Sequence, residues 1–365
     1  MVEPPANHMT GKKRVGIVMF QLGGPDSLEA VEPFLLNLFL DPDIIPLGPL
    51  GLLRKPIAKM ISSRRCVPVK GRYAQIGRRS PIATLTERQR VRLVRALSPY
   101  IDPVAVVAMR YWHPMSHEAL DALRSFSLDE IVLLPLYPHY SYATTLSSMK
   151  DWHRVANRAN WNTANGAPPE RVVENFYDHP LYIRGLVENI GRILRQFPDS
   201  SRIHLVFSAH GLPMSLVEKG DPYPRQIEET VRLTCEQGAQ KFPQQWPRTH
   251  LLCYQSLVGP AKWLQPPLTG TIERLAHEGV KEMLVVPISF VTEHIETLHE
   301  INIEARDEAK KLGVETFRMM PALGDSPYFI AALKDLVLRA VGINQPEAPA
   351  AAMPQISAAA SPAIS

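Results

Sequence analysis

Two short stretches of the 365-residue chain concentrate groups able to move protons or hold a metal ion. The first is Ser208-Ala-His-Gly-Leu-Pro213. Gly211 permits a sharp turn and Pro213 ends any preceding strand, so the imidazole of His210 is left projecting, able to bind a divalent metal or exchange a proton near neutral pH. A lone histidine at a turn is more often structural, but this one has company. Thr292-Glu-His-Ile-Glu-Thr-Leu-His-Glu300 packs Glu293, His294, Glu296, His299 and Glu300 into nine positions. A helix beginning near Thr292 puts Glu296, His299 and Glu300 at i, i+3 and i+4, on one face. Glu293, at the start, reads as a solvated complement to the helix dipole. An imidazole and a carboxylate facing one pocket suit a borderline divalent ion and also the abstraction of protons from weak N–H acids. The HExxH of zinc proteases is absent. Cys66, Cys235 and Cys253 form no CxxC pair, which excludes a disulfide framework and a cysteine-based zinc site and fits a reducing compartment.

The elements that must carry these groups are legible as apolar runs: Val15 to Phe20, Val104 to Met109, Ile131 to Leu136, Ile203 to Phe207, Leu251 to Tyr254 and Met283 to Phe290. They are continuous rather than alternating, as strands covered on both faces are. Helix-like stretches separate them, among them Ser27 to Phe39, Thr86 to Leu97, Ser116 to Ser125, Pro180 to Arg195, Pro224 to Gly238 and Thr269 to His277. That alternation predicts βαβ units and parallel sheets, whose ligands gather beyond the carboxyl ends of the strands. The 34 prolines, about 9% of the chain against a usual 5%, cluster just after the runs. Gly23-Gly24-Pro25 lacks the spacing of a dinucleotide fingerprint, and no GxxxxGK[ST] is present.

The six runs form two sets of three. Arg14 to Pro25 lies without gaps on Arg202 to Pro213, Asp129 to Leu136 on Lys281 to Ile288, and Val104 to Pro114 on His250 to Pro260. The fold class expected is therefore α/β, two similar halves, each a parallel sheet flanked by helices. Length agrees, since domains average roughly 100–200 residues. In this register His210 stands opposite Leu22 and Glu296 opposite Thr144, so metal chemistry is expected only in the second half. With 40 Lys and Arg against 36 Asp and Glu, the net charge of +4 argues against a partner bound through nucleic-acid phosphates. No apolar run reaches spanning length and the first 13 residues lack a secretory apolar region, so a cytoplasmic location is expected.

Taken together, the motifs resemble the ferrochelatases, which insert ferrous iron into a porphyrin. The resemblance runs from Arg14 to Val341 through Gly23-Gly24-Pro25-Asp26, Phe34 to Leu40, Ser80-Pro81-Ile82, Met109 to Pro114, Tyr137 to Ser141, Ser208 to Pro213, Gln255-Ser256, Val258-Gly259-Pro260, Trp263-Leu264, Val286 to Phe290 and His294 to Leu298. It implies a class II chelatase-like fold, two Rossmann-like halves with the active-site cleft between them, and insertion of Fe²⁺ into protoporphyrin IX with release of two protons. His210 and Glu296 match the family's metal-site histidine and glutamate, supported by His294 and Glu300. Arg110, Tyr111, Leu22, Tyr137, Trp263 and Phe290 are the expected porphyrin contacts, with Tyr140 as a further wall.

The apolar but basic stretch 44–68 suits a lip that accepts porphyrin or touches an acidic membrane surface at the inner membrane face; a buried helix-turn is the competing reading. The expected division is a disordered 1–12, a first half at 13–168, a second at 169–322, a helix at 323–343 packing back on the first half, and a disordered Ala/Pro tail at 344–365. Two departures stand out: Gln21 replaces a common Asn, and Gly77-Arg-Arg-Ser80 replaces a glycine-rich turn. Three cysteines are too few for the [2Fe-2S] cluster of some relatives, so no cofactor is expected beyond Fe²⁺ as substrate. The alternatives are a coproporphyrin III ferrochelatase, a cobalt chelatase, or a non-catalytic porphyrin carrier. Oligomeric state is not legible.

Overall fold

The computed structural model describes residues 11–42, 53–161, 165–257, 259 and 261–343. The terminal segments 1–10 and 344–365, and lip residues 44–52, lie outside them. The first repeat runs β1 (Arg14–Gln21), α1 (Val31–Leu40), α2 (Arg54–Gln75), α3 (Ile82–Leu97), β2 (Asp102–Met109), α4 (Ser116–Arg124), β3 (Glu130–Pro135), π1 (Tyr142–Leu146), α5 (Ser147–Arg158), β4 (Glu170–Val172) and α6 (Pro180–Leu194). The second runs β5 (Ile203–His210), α7 (Met214–Val217), α8 (Tyr223–Lys241), β6 (Thr249–Gln255), α9 (Leu268–His277), β7 (Glu282–Pro287), π2 (Glu296–Ala305), α10 (Arg306–Lys311), β8 (Thr316–Met319) and α11 (Pro327–Ala340).

Two parallel four-stranded sheets result, ordered β2-β1-β3-β4 and β6-β5-β7-β8. All six expected strands are present, and β1, β3 and β7 are buried along almost their whole length, which is why they read as unbroken apolar runs. The last of these runs ends at Pro287 rather than Phe290. The duplication holds in the ladders: Val15 pairs with Glu130 as Ile203 pairs with Glu282, the register found by laying the halves together. The second strand is displaced by one residue, because Gln21 pairs with Met109 while its counterpart Ala209 pairs with Tyr254. Arg110 therefore occupies the place of Gln255, and Tyr111 that of Ser256.

The expected boundary at 168/169 moves. β4, at Glu170–Val172, hydrogen-bonds to β3 and completes the first sheet, as β8 completes the second. Both are short, partly exposed edge strands with little apolar signal. Each is followed by a helix opened by a capped proline. His179 Nδ1 accepts the Leu181 amide at 3.2 Å before Pro180, and Ser326 Oγ accepts the Phe329 amide at 3.4 Å before Pro327. These two helices are exchanged between the repeats. α6 packs on α8 of the second repeat, α11 packs on α3 of the first, and the two pack on each other. One apolar core therefore runs from Val15 and Ile17 through Tyr182, Ile183, Phe329 and Leu333 to Leu205 and Leu284.

The described part of the lip is one continuous helix, α2, which passes through Pro68 and Gly71. It buries Ala58, Ser62, Cys66 and Tyr73 along one face. Its end answers the question posed by Gly77-Arg-Arg: Gly77 (φ 95°) and Arg78 (φ 65°) are both left-handed, and the Arg78 amide closes the turn on the Tyr73 carbonyl at 2.8 Å. Arg78 adopts this backbone without the freedom of glycine.

Candidate active site

His210 is the last residue of β5, and its backbone is fixed on both sides. Its amide donates to Ser289 Oγ at 3.0 Å, and its carbonyl accepts the Tyr223 hydroxyl at 3.0 Å. Gly211 follows because a Cβ there would lie 2.3 Å from Leu257 Cδ2 and 2.9 Å from the Gln255 carbonyl. The imidazole Nδ1 meets Glu296 Oε2 at 2.8 Å. Its side chain is 40% exposed, and among the described residues Nε2 has no protein hydrogen bond. Burial opposes the charged imidazole, but Glu296, and Glu300 further off, raise its pKa above the ordinary histidine value.

Glu296 opens π2 and is 22% exposed. Burial works against its anion, yet His210 and then His294 hold its pKa far below the usual carboxylate range. His294 Nε2 lies 3.5 Å from the same Oε2. Phe290 sits beside both imidazoles, 4.4 Å from the His294 ring centre and 6.2 Å from that of His210. Glu300 is held by Ser256, whose amide and hydroxyl donate to its two oxygens at 2.6 and 2.5 Å. For Glu300, burial and the Glu296 charge raise the pKa against these two donors.

His210, Glu296, His294, Phe290 and Glu300 thus converge at the carboxyl end of the second sheet. His299 does not. It is buried with Thr297, Ile301 and Ala305 on the other side of π2, its Nδ1 3.6 Å from Glu304. The wider π turn separates it from the Glu296–Glu300 row. Glu293 is not a solvated helix-start acid, because it accepts the Ala322 amide at 2.7 Å and the Thr297 hydroxyl.

The first repeat approaches this cluster through α1 and α2. Leu22 packs with Tyr111, Trp112 and Ile295 in one apolar group, together with Tyr73. Tyr73, which the sequence reading passed over, is 2% exposed. Burial raises its pKa, and so, secondarily, does the charge of Glu296. Trp263 pairs with Pro213, abuts Gly211, and walls a cavity of about 410 Å³ with Met214, Ala261, Lys262 and Gln265. Tyr137 is half-buried against the first-repeat core, its hydroxyl 3.3 Å from Ser148 Oγ.

Arg110 and Tyr111, two of the expected porphyrin contacts, turn their side chains to one acid of the first repeat. Tyr111 is 1% exposed and donates its hydroxyl to Asp41 at 2.7 Å. Arg110 donates to the same Asp41 oxygen at 2.6 Å and to Ser147 Oγ at 3.0 Å, with Asp151 at 3.7 Å. These contacts brace the first-repeat strand end. Gln255 and Ser256, quoted as a motif but given no role, are the site residues that sequence reasoning missed. Their place at the carboxyl end of β6 was the available signal.

The ferrochelatase family pattern matches residues 14–341. A ferrochelatase from Geotalea uraniireducens is 46% identical over 330 residues, covering 90% of this chain and 98% of that protein. One from Nostoc sp. is 44% identical over 91% of this chain and 83% of its own length. Among solved structures, SirB from Bacillus subtilis with Fe³⁺ superposes with a TM-score of 0.52 at 12% identity, over 90% of this chain and 96% of that one, a likeness of fold. With its two parallel sheets and its His–Glu cluster at the end of the second, the chain belongs to the ferrochelatase family.

Proposed function

We propose that the chain inserts Fe²⁺ into protoporphyrin IX to form protohaem, releasing two protons, with no cofactor beyond the ferrous iron it consumes. The His210–Glu296 contact carries this reading. In the tautomer it selects, Nδ1–H points at the carboxylate and Nε2 presents its lone pair to the substrate side. That lone pair can take a pyrrole N–H proton, and Glu296 then stabilises the imidazolium, the role of an orienting carboxylate behind a general base. The same nitrogen, backed by the same carboxylate, suits passage of the metal. Leu22, Trp263 and Phe290 supply apolar walls for a flat macrocycle. The test is anaerobic incubation with Fe²⁺ and either protoporphyrin IX or coproporphyrin III, followed by the optical change of metallation, with Co²⁺ and Zn²⁺ as competitors. Porphyrin binding without single-turnover metallation would make the protein a carrier instead.

The exposed side of α2 supports docking on an anionic membrane surface. Leu53 (49% exposed), Met60 (48%) and Val67 (76%) recur every seventh residue, a row along one helix face. Arg54, Lys55, Lys59, Arg64, Arg65, Lys70 and Arg72 lie on the same helix, which has no acidic residue. The opposite side of α2 carries Tyr73 toward Glu296, so the surface helix and the site share one rigid element. No described helix is long and apolar enough to cross a membrane. Co-sedimentation with phosphatidylserine vesicles is expected, weakening at high salt as screening takes hold. Val67→Glu should reduce it about tenfold, by removing apolar contact and adding repulsion. Equal binding to neutral vesicles would refute the electrostatic part.

A further inference from the structure

We infer that Ser256 is a positioning residue that clamps Glu300 within the reaction site. This rests on the iron-insertion reading. Ser256 has φ 61°, a left-handed conformation costly for a residue with a Cβ. Strain of this kind persists only where the surroundings enforce it. Here the enforcing contacts are visible. Its amide and hydroxyl grip both oxygens of one carboxylate at 2.6 and 2.5 Å, and the left-handed turn aims the two donors together.

The preceding residue extends the grip. Gln255, 2% exposed, donates its side-chain Nε2 to the Glu296 backbone carbonyl at 3.3 Å while its side-chain Oε1 accepts the Ser208 hydroxyl at 2.7 Å. The strand end of β6 thus ties β5 to two successive acids of π2. Glu300 lies one π2 turn beyond Glu296, on the row that leads away from His210. A carboxylate with both oxygens held keeps one orientation toward the metal, whereas a loosened one would search several rotamers. At the corresponding place in the first repeat Tyr111 stands instead of Ser256, and its hydroxyl turns to Asp41.

Three substitutions separate holding from folding. Ser256→Gly removes the hydroxyl and the backbone strain, so thermal stability should match or exceed the parent while kcat/KM for Fe²⁺ falls about tenfold or more. Ser256→Ala should lose activity similarly and also lose stability. Ser256→Thr keeps the hydroxyl but adds a β-branch at a left-handed φ, so it should be less stable than the parent and retain activity within about threefold. KM for porphyrin should stay within about twofold throughout, since Glu300 serves the metal side. Activity that tracks stability across the series, or parent-like iron kinetics in Ser256→Gly, would overturn the clamp. A wild-type chain that inserts no iron would overturn the functional reading instead. In that case a double-mutant cycle of Ser256→Ala with Glu300→Ala in denaturant still decides the clamp: non-additive effects support it and additive ones overturn it.

Discussion

Glu296→Gln is expected to lower the rate of iron insertion about 10³-fold while leaving the fold intact, within the range for loss of an acid–base group. The replacement is isosteric and can still hydrogen-bond His210, so geometry survives and only the charge disappears. Without that charge, the imidazolium formed when Nε2 takes a pyrrole proton has no partner in a partly buried site. The pH behaviour separates this account from simple disruption. In the parent, His210 has its pKa raised, burial being outweighed by Glu296, so activity should climb as pH rises through that elevated value and frees the base. In Glu296→Gln the burial effect remains and the raising charge is gone, so the climb should move to lower pH with a much lower plateau. Histidine NMR titration of His210 should move the same way. A rate within tenfold of the parent, or an unmoved profile, would show that Glu296 acts elsewhere.

The sign for stability follows from the same shifts. His210, raised, stabilises the fold below the ordinary imidazole pKa of about 6.5 and loses that effect as pH rises through its folded value. Glu296, depressed, stabilises above the ordinary glutamate value of about 4.3 and loses that effect as pH falls through its folded value. The pair therefore contributes most between about pH 4.3 and 6.5.

Asp41→Ala should destabilise the protein by about 3–5 kcal/mol, the scale for removing one partner of a buried ion pair. The Asp41 side chain is 1% exposed and accepts from Arg110, Tyr111 and Ser147. Its loss leaves the Tyr111 hydroxyl buried without that acceptor and the Arg110 guanidinium leaning on Asp151 at 3.7 Å. Denaturant unfolding measures the cost, and the folded fraction should still insert iron within a few-fold of the parent. A loss below about 1 kcal/mol, or full inactivation at unchanged stability, would show that Arg110 and Tyr111 serve the ligand rather than the fold.

These outcomes bear on what the sequence could and could not disclose. Strands buried on both faces announce themselves, and the gapless matching of Val15 with Ile203 and of Glu130 with Glu282 recurs in the two ladders. His210 and Glu296 were legible because chemistry collects past strand ends. β4 and β8 were not, since edge strands of three and four residues carry no periodic signal. The position of His299 failed for a different reason: i, i+3, i+4 spacing presumes an α-helix, and the wider π turn redistributes side chains around the axis. The shared partner of Arg110 and Tyr111, Asp41, was not legible because it lies about seventy positions away in the chain.

The exchange of α6 and α11 has a consequence for the origin of the site. Two identical half-length subunits, each lending its last helix to the other around a two-fold axis, would build this same frame by domain swapping. Such a dimer could carry only identical strand ends, two His–Glu clusters or none. Joining the subunits into a single polypeptide removes that symmetry. One sheet end can then keep a histidine with an open nitrogen while its counterpart closes around Arg110 and Asp41.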